Sequence, residues 1–97
     1  MMRAPDLAKV PSGIALELYV AGDSLNSRRA ATNLAEIVRR LDSQATVTVV
    51  DVLKDKGAAF ARRIFVTPSL IASIKGREHL IIGDLSDVDA VVQSLKD

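Results

Sequence analysis

The sequence predicts one α/β domain with the element order β-α-β-α-β-β-α. Three observations carry that expectation. Two runs rich in β-branched and apolar residues, Ile14–Val20 and Ala45–Val50, enclose a stretch with helical periodicity. Two further apolar runs, Ser69–Ile74 and His79–Ile82, stand on either side of Lys75-Gly76-Arg77-Glu78. The chain then ends in an amphipathic segment that opens with a capping residue.

Each element has a local reason. Ile14–Val20 (IALELYV) carries Glu17 as its single charge and reads as a mostly buried strand. Ala21-Gly22-Asp23-Ser24 ends it, with Gly22 free to take a positive φ and Asp23 or Ser24 placed to cap a helix. That helix is predicted from about Leu25 to Leu41. Ala30, Ala31, Leu34, Ile37, Val38 and Leu41 recur at spacings of three and four and form one stripe, with Arg28, Arg29, Glu36, Arg39 and Arg40 on the remainder. Asp42-Ser43-Gln44 is predicted to turn. Ala45–Val50 (ATVTVV) reads as a second strand, parallel to the first because a helix makes the crossover. Between Asp51 and Arg63 the pattern predicts a loop and a short helix weakened by Gly57, with Phe60, Ala61 and Ile64 inward. The two runs around Lys75-Gly76-Arg77-Glu78 predict an antiparallel hairpin. Ser86, followed by acidic Asp89, is the expected cap of a last helix with Val88, Val91, Val92 and Leu95 inward. Residues 1–13, with Pro5, Pro11 and Gly13, are expected to form a flexible arm, and residues 14–97 the domain.

Composition removes whole classes of function. The 97 residues carry 13 Lys+Arg against 12 Asp+Glu, a net charge of +1, and no Cys. No thiolate chemistry, disulfide, iron–sulfur cluster or Cys-ligated zinc is available. The balanced charge and the few aromatics, Tyr19, Phe60 and Phe65, argue against nucleic acid. No apolar run approaches the roughly 18–20 residues of a membrane span, and the first residues lack the apolar core of a secretory signal. A cytoplasmic protein without cofactor or metal is expected. His79 is the lone histidine and lacks partners for a metal. A triad of Ser24, His79 and Asp84 lacks the spacing of a nucleophile elbow. The glycines punctuate turns and form no phosphate loop. The paired arginines are read as solvated helix faces.

The element order with Thr67-Pro68 leading into the third strand looks like the thioredoxin fold, which places a cis proline there. The junction of first strand and first helix, where that fold carries Cys-x-x-Cys, is here Ala21-Gly22-Asp23-Ser24-Leu25-Asn26-Ser27. Four pieces resemble another family. They are YVAG-x-x-x-NS-x-RA at Tyr19–Ala30, DVLK at Asp51–Lys54, TP-x-L at Thr67–Leu70 and IIGDLS at Ile81–Ser86. At these separations, together covering about Leu16 to Leu95, they are similar to the KaiB family of bacterial circadian-clock proteins.

The resemblance implies a non-enzymatic regulatory module that binds a KaiC-like ATPase; the small size, thin core and β-branched edge predict homodimers or homotetramers. The resemblance also implies a metamorphic family, in which one sequence adopts either a self-associating fold or a thioredoxin-like fold. The local preferences of residues 69–95 favour the thioredoxin-like state, with Pro68 cis. In such a sheet the strand order is second, first, third, fourth, which leaves the second strand at an edge open to a partner strand. Thr48, Val49, Val50, Asp51 and Lys54 are therefore expected to contact a partner, together with Arg29 from the family motif. Pro68, Gly83 and Asp84 are the structural or fold-switch candidates. Two alternatives stand beside this reading: a thioredoxin-fold enzyme with a non-Cys site, and a free-standing relative of a histidine-kinase KaiB-like sensor domain. The chain departs from the family in three places. Lys75-Gly76-Arg77 replaces a triple proline, His79-Leu80 replaces an Arg pair, and Ala59-Phe60-Ala61-Arg62-Arg63 replaces an acidic stretch.

Overall fold

A computed structural model describes residues 13–41 and 45–96. The predicted turn at Asp42-Ser43-Gln44, the arm over residues 1–12 and the final Asp97 lie outside the described residues. The elements run β1 (Ile14–Val20), α1 (Leu25–Arg40), β2 (Thr46–Asp51), α2 (Lys56–Ala61), β3 (Ser69–Ile74), β4 (Arg77–Ile82) and α3 (Val88–Lys96). The four strands form one sheet in the order β2-β1-β3-β4. β1 pairs parallel with β2 and antiparallel with β3, and β4 closes an antiparallel hairpin on β3.

Alternation along β1 divides the core in two. Leu16, Leu18 and Val20 face α1 and α3, where they meet Ala30, Leu34 and Ile37 from α1 and Val91, Val92 and Leu95 from α3. Tyr19 faces the other way and packs with Ala59, Ile64 and Ile71. The first layer is thick and the second thin, because α2 has only six residues.

Caps and turns follow side-chain chemistry. Ser24 caps α1, its Oγ accepting from Ser27 N–H. Asp55 caps α2 in the same way, accepting from Ala58 N–H at 3.0 Å. The hairpin turn is Lys75-Gly76 alone, with φ of 52° and 83°, the two positive angles of a type I′ connection. Arg77 and Glu78, expected in the turn, instead begin β4, because Arg77 already pairs with Ile74. Proline could take neither turn position, because its ring confines it to negative φ. Thr67-Pro68 is cis, as expected.

Two expectations need correction. Phe60 is 77% exposed and Ala61 is exposed; Ala59 takes the inward place beside Ile64. The rotation of α2 follows Arg62, three residues beyond Ala59 and so on the same helical face. The Arg62 guanidinium reaches Glu17 of β1 at 2.9 Å and Glu78 of β4 at 2.6 Å. Arg62 is thus no solvated surface charge but the tie between α2 and the sheet. The cap of α3 is Asp87, which accepts from Ala90 N–H at 3.1 Å, rather than Ser86. Asp89 pairs with Arg40 of α1 instead of completing a capping box.

Candidate functional site: the β2 edge and its flanking turn

β2 has a neighbour on one side only, so its other side is an open edge. Val52 N–H donates to Val20 O at 2.8 Å, continuing the parallel ladder. Residues that bond the neighbouring strand alternate in such a ladder. Thr46, Thr48 and Val50 therefore direct their backbone groups to β1, and Val47 and Val49 direct theirs to the open edge. The side chains of Val47 and Val49 point to the α1 face, in register with Leu16 and Leu18. At the margin of the sheet they stay 43% and 56% exposed. With Ala31, Leu34, Ala35 and Val38 of α1 they line a shallow apolar groove of about 320 Å³. Edge backbone and apolar groove thus lie side by side, the combination that takes an extended partner segment by strand addition.

The turn after β2 is held by Asp51. Its Oδ1 accepts from Gly22 N–H and Leu53 N–H, each at 3.0 Å, and its carbonyl oxygen accepts from Lys54 N–H and Asp55 N–H. The two backbone N–H bonds to the carboxylate hold its pKa below the usual carboxylate range. Gly22 has φ +60°, and a Cβ there would stand 3.1 Å from Leu53 Cδ1. The two turns are therefore pressed together, leaving Leu53 62% exposed and Lys54 exposed beside the edge.

The structure gathers Thr48, Val49, Val50, Asp51 and Lys54 along this edge. Asp51 spends its carboxylate on the turn, while Thr48 and Val50 face the α2 side of the sheet. Arg29 stands elsewhere: it borders a different depression with Leu25, Arg28, Thr32 and Asn33. Pro68 is buried, and its carbonyl oxygen accepts from Gly83 N–H at 2.9 Å. Gly83 has φ +118°, the Asp84 carbonyl oxygen accepts from Asn33 Nδ2 at 2.8 Å, and Asp84 Oδ1 accepts from Ser86 N–H. Sequence reasoning placed Val47 on the exposed edge but did not foresee the groove it forms with Ala31 and Ala35. Ala31 falls in the apolar stripe of α1 and so reads as core, and the sequence does not single out Ala35; both border the groove because β2 ends the sheet beside them.

The alternative chemistry finds no support in the geometry. Ser24 Oγ donates to Ser27 Oγ at 2.8 Å, and Ser27 Oγ accepts from Ala21 N–H at 3.1 Å, so both hydroxyls serve the start of α1. His79 is in register with Ala72 and, through it, with Leu16, four positions before the end of β1. It lies toward the opposite end of the sheet from Ser24 and borders a cavity with Ile14 and Ile74. No group of His, Asp and Glu among the described residues could hold a metal ion. No helix among them is long and apolar enough to cross a membrane.

Solved structures show the fold. Mitochondrial thioredoxin 3 from Saccharomyces cerevisiae superposes with a TM-score of 0.70 at 15% identity, covering 87% of this chain and 77% of the other. A mutant thioredoxin from Halobacterium salinarum gives 0.65 at 24% identity, covering 93% and 80%. Sequence relatives show the family. The circadian clock protein KaiB3 of Synechocystis is 36% identical over 83 residues, 84% of this chain and 81% of that protein. The circadian clock oscillator protein KaiB of Prochlorococcus marinus is 41% identical over 81 residues, 82% of this chain and 69% of that protein. The KaiB domain profile matches residues 17–96, nearly the whole described chain, and with these identities it shows that the chain belongs to the KaiB family.

Proposed function

We propose that this chain is a non-enzymatic clock-type regulatory module that binds a KaiC-like ATPase through the β2 edge. The observation that carries the reading is the open edge of β2 beside the groove of Val47, Val49, Ala31, Leu34, Ala35 and Val38. Family membership supplies the class of partner. The edge supplies the means: main-chain pairing for affinity and an apolar groove for side chains. Lys54 gives the end of that surface a positive charge. Arg29, on the other flank of α1, acts as a separate contact. Residues 83–84 form the hinge at which a second backbone path begins if the chain switches fold. In the cytoplasm the free protein pairs with copies of itself, since Val47, Val49, Leu80 and Ile82 are large apolar side chains left exposed.

Val49→Pro separates partner pairing from folding. The Val49 N–H faces the open edge, so proline there removes no bond to β1 and is sterically tolerated on an edge. Binding to a purified KaiC-like ATPase, followed by fluorescence anisotropy, is expected to weaken at least tenfold. Thr48→Pro removes a ladder bond to β1 and is expected to unfold part of the sheet. A folded Val49→Pro protein that binds with unchanged affinity would remove the β2 edge from the interface. Light scattering is expected to show dimers or tetramers at high concentration, and a monomer throughout would overturn the self-association.

A further inference from the structure

The end of the sheet remote from Ser24 carries a cavity of about 260 Å³. Its apolar lining is Ile14, Leu41, Ile74 and Leu95, and its polar lining is Lys75, Arg77, His79 and Lys96. No carboxylate lines it among the described residues, although the chain as a whole holds 12 Asp+Glu against 13 Lys+Arg. Arg28, Arg39, Arg40 and Arg62 each face an acidic side chain. Lys75, Arg77 and Lys96 have no such partner among the described residues. The apolar floor is itself incompletely covered, for Ile14, Leu41 and Ile74 are only partly buried. The fold therefore brings cations that have no acidic partner among the described residues from the β3–β4 hairpin and from α3 to the rim of an apolar recess.

We infer that this cavity binds a small amphipathic carboxylate, its apolar body on Ile14, Leu41, Ile74 and Leu95 and its carboxylate against Arg77, Lys75 and Lys96. Simpler occupants would use only half of this lining. A purely apolar ligand would make no use of the exposed cations at the rim, and an inorganic anion would leave the apolar floor wet. The planar Arg77 guanidinium suits the two oxygens of a carboxylate. The volume lies just under the roughly 300–1,000 Å³ of pockets for drug-sized ligands, so a molecule of about ten non-hydrogen atoms fits. Lys75, Arg77 and His79 come from the β3–β4 hairpin and Lys96 from α3, so two separate elements supply the polar rim. The cavity stands apart from the β2 edge, and neither assignment depends on the other.

Octanoate, with ten non-hydrogen atoms, is the probe. Titration of the ¹⁵N-labelled protein is expected to move the amides of Ile14, Ile74, Arg77, His79, Leu95 and Lys96 saturably. A dissociation constant of about 0.1–1 mM is expected for a ligand of this size. Octanol and octylammonium, which keep the tail without the carboxylate, are expected to bind at least tenfold more weakly. The double substitution Lys75→Gln with Arg77→Gln is expected to weaken octanoate about tenfold. Unchanged amide dispersion elsewhere certifies the fold of that variant. Absence of saturable shifts to 10 mM octanoate, on the order of ten times the weakest expected constant, would overturn the assignment. So would equal binding of octylammonium, or shifts centred on Val47 and Val49. Tighter capture of a short peptide ending in a leucine carboxylate would also overturn it, giving the cavity to the chain end of a partner.

Discussion

Replacing Arg62 by methionine tests what holds the thin side of this molecule together. Arg62 Nη2 donates to Glu17 Oε1 at 2.9 Å and Nε donates to the same oxygen at 3.2 Å, while Nη2 also reaches Glu78 Oε2 at 2.6 Å. The Arg62 side chain is 31% exposed and that of Glu17 only 17%, whereas Glu78 is 55% exposed. The Glu78 contact is solvated and counts for little. The Glu17 contact counts for more, because a largely buried carboxylate would be left without its cation. Methionine keeps much of the apolar stem, so the loss isolates the charge. We expect about 2 kcal/mol of destabilisation, the middle of the range for breaking a charged hydrogen bond in a part-buried setting. For a domain of this size that is a fall in Tm of roughly 8–16 °C. Adding Glu17→Gln removes the orphaned charge, and the double variant is expected to be about 1 kcal/mol more stable than the sum of the single effects. Additive single effects in urea denaturation, or a fall in Tm below about 2 °C, would refute the argument. Arg62 would then be an exposed charge that merely lies near Glu17.

Four further outcomes can be checked on the same protein. The Arg62 guanidinium holds the Glu78 pKa below the usual carboxylate range, so its small, solvent-screened contribution is present above the unfolded pKa of about 4.3 and is lost as pH falls through the lower folded value; the gap in Tm between native protein and Arg62→Met should narrow only slightly below about pH 4. Ser24→Cys with Ser27→Cys should close a disulfide on mild oxidation, since the two hydroxyl oxygens stand 2.8 Å apart; two alkylatable thiols after oxidation would contradict the geometry. Gly22→Ala puts a Cβ at φ +60° and 3.1 Å from Leu53 Cδ1, and should cost about 1–2 kcal/mol in urea denaturation; an unchanged midpoint would mean that the two turns are not pressed together. Three prolines in place of Lys75, Gly76 and Arg77 cannot adopt the positive φ of the turn, so new amide peaks should report loss of the hairpin; an unchanged spectrum would mean that the turn does not decide the topology.

Much of the architecture is local and was legible. Ile14–Val20 and Ser69–Ile74 coincide with the predicted strands, because continuous apolar runs ending at Gly22 and at Lys75-Gly76 leave little freedom in where a strand stops. The stripe of Ala30, Leu34 and Ile37 names the buried face of α1 correctly. The likeness to the thioredoxin fold, carried by element order and Thr67-Pro68, added the strand order, which periodicity does not contain. What it could not supply was how each element sits against the sheet. Phe60 and Ala61 read as inward residues, yet α2 turns them out, because Arg62 finds Glu17 across 45 positions of sequence. Ala31 and Val38 read as core, yet they border an open groove, because β2 ends the sheet beside them.

The sequence by itself determined which residues form strands and helices, since periods of two and 3.6 are properties of neighbouring side chains. It also determined what chemistry is out of reach, since a chain without cysteine has no thiolate to offer in any fold. Only the tertiary structure decided that Lys75, Arg77, His79 and Lys96 ring one apolar recess with Ile14 and Leu41. Those residues come from β1, the end of α1, the hairpin and α3, and they meet because the sheet aligns one end of each element. Periodicity records the angle of a side chain about its own element. The rotation and stagger of one element against another come from contacts between distant residues, and these exist only once the chain has closed on itself.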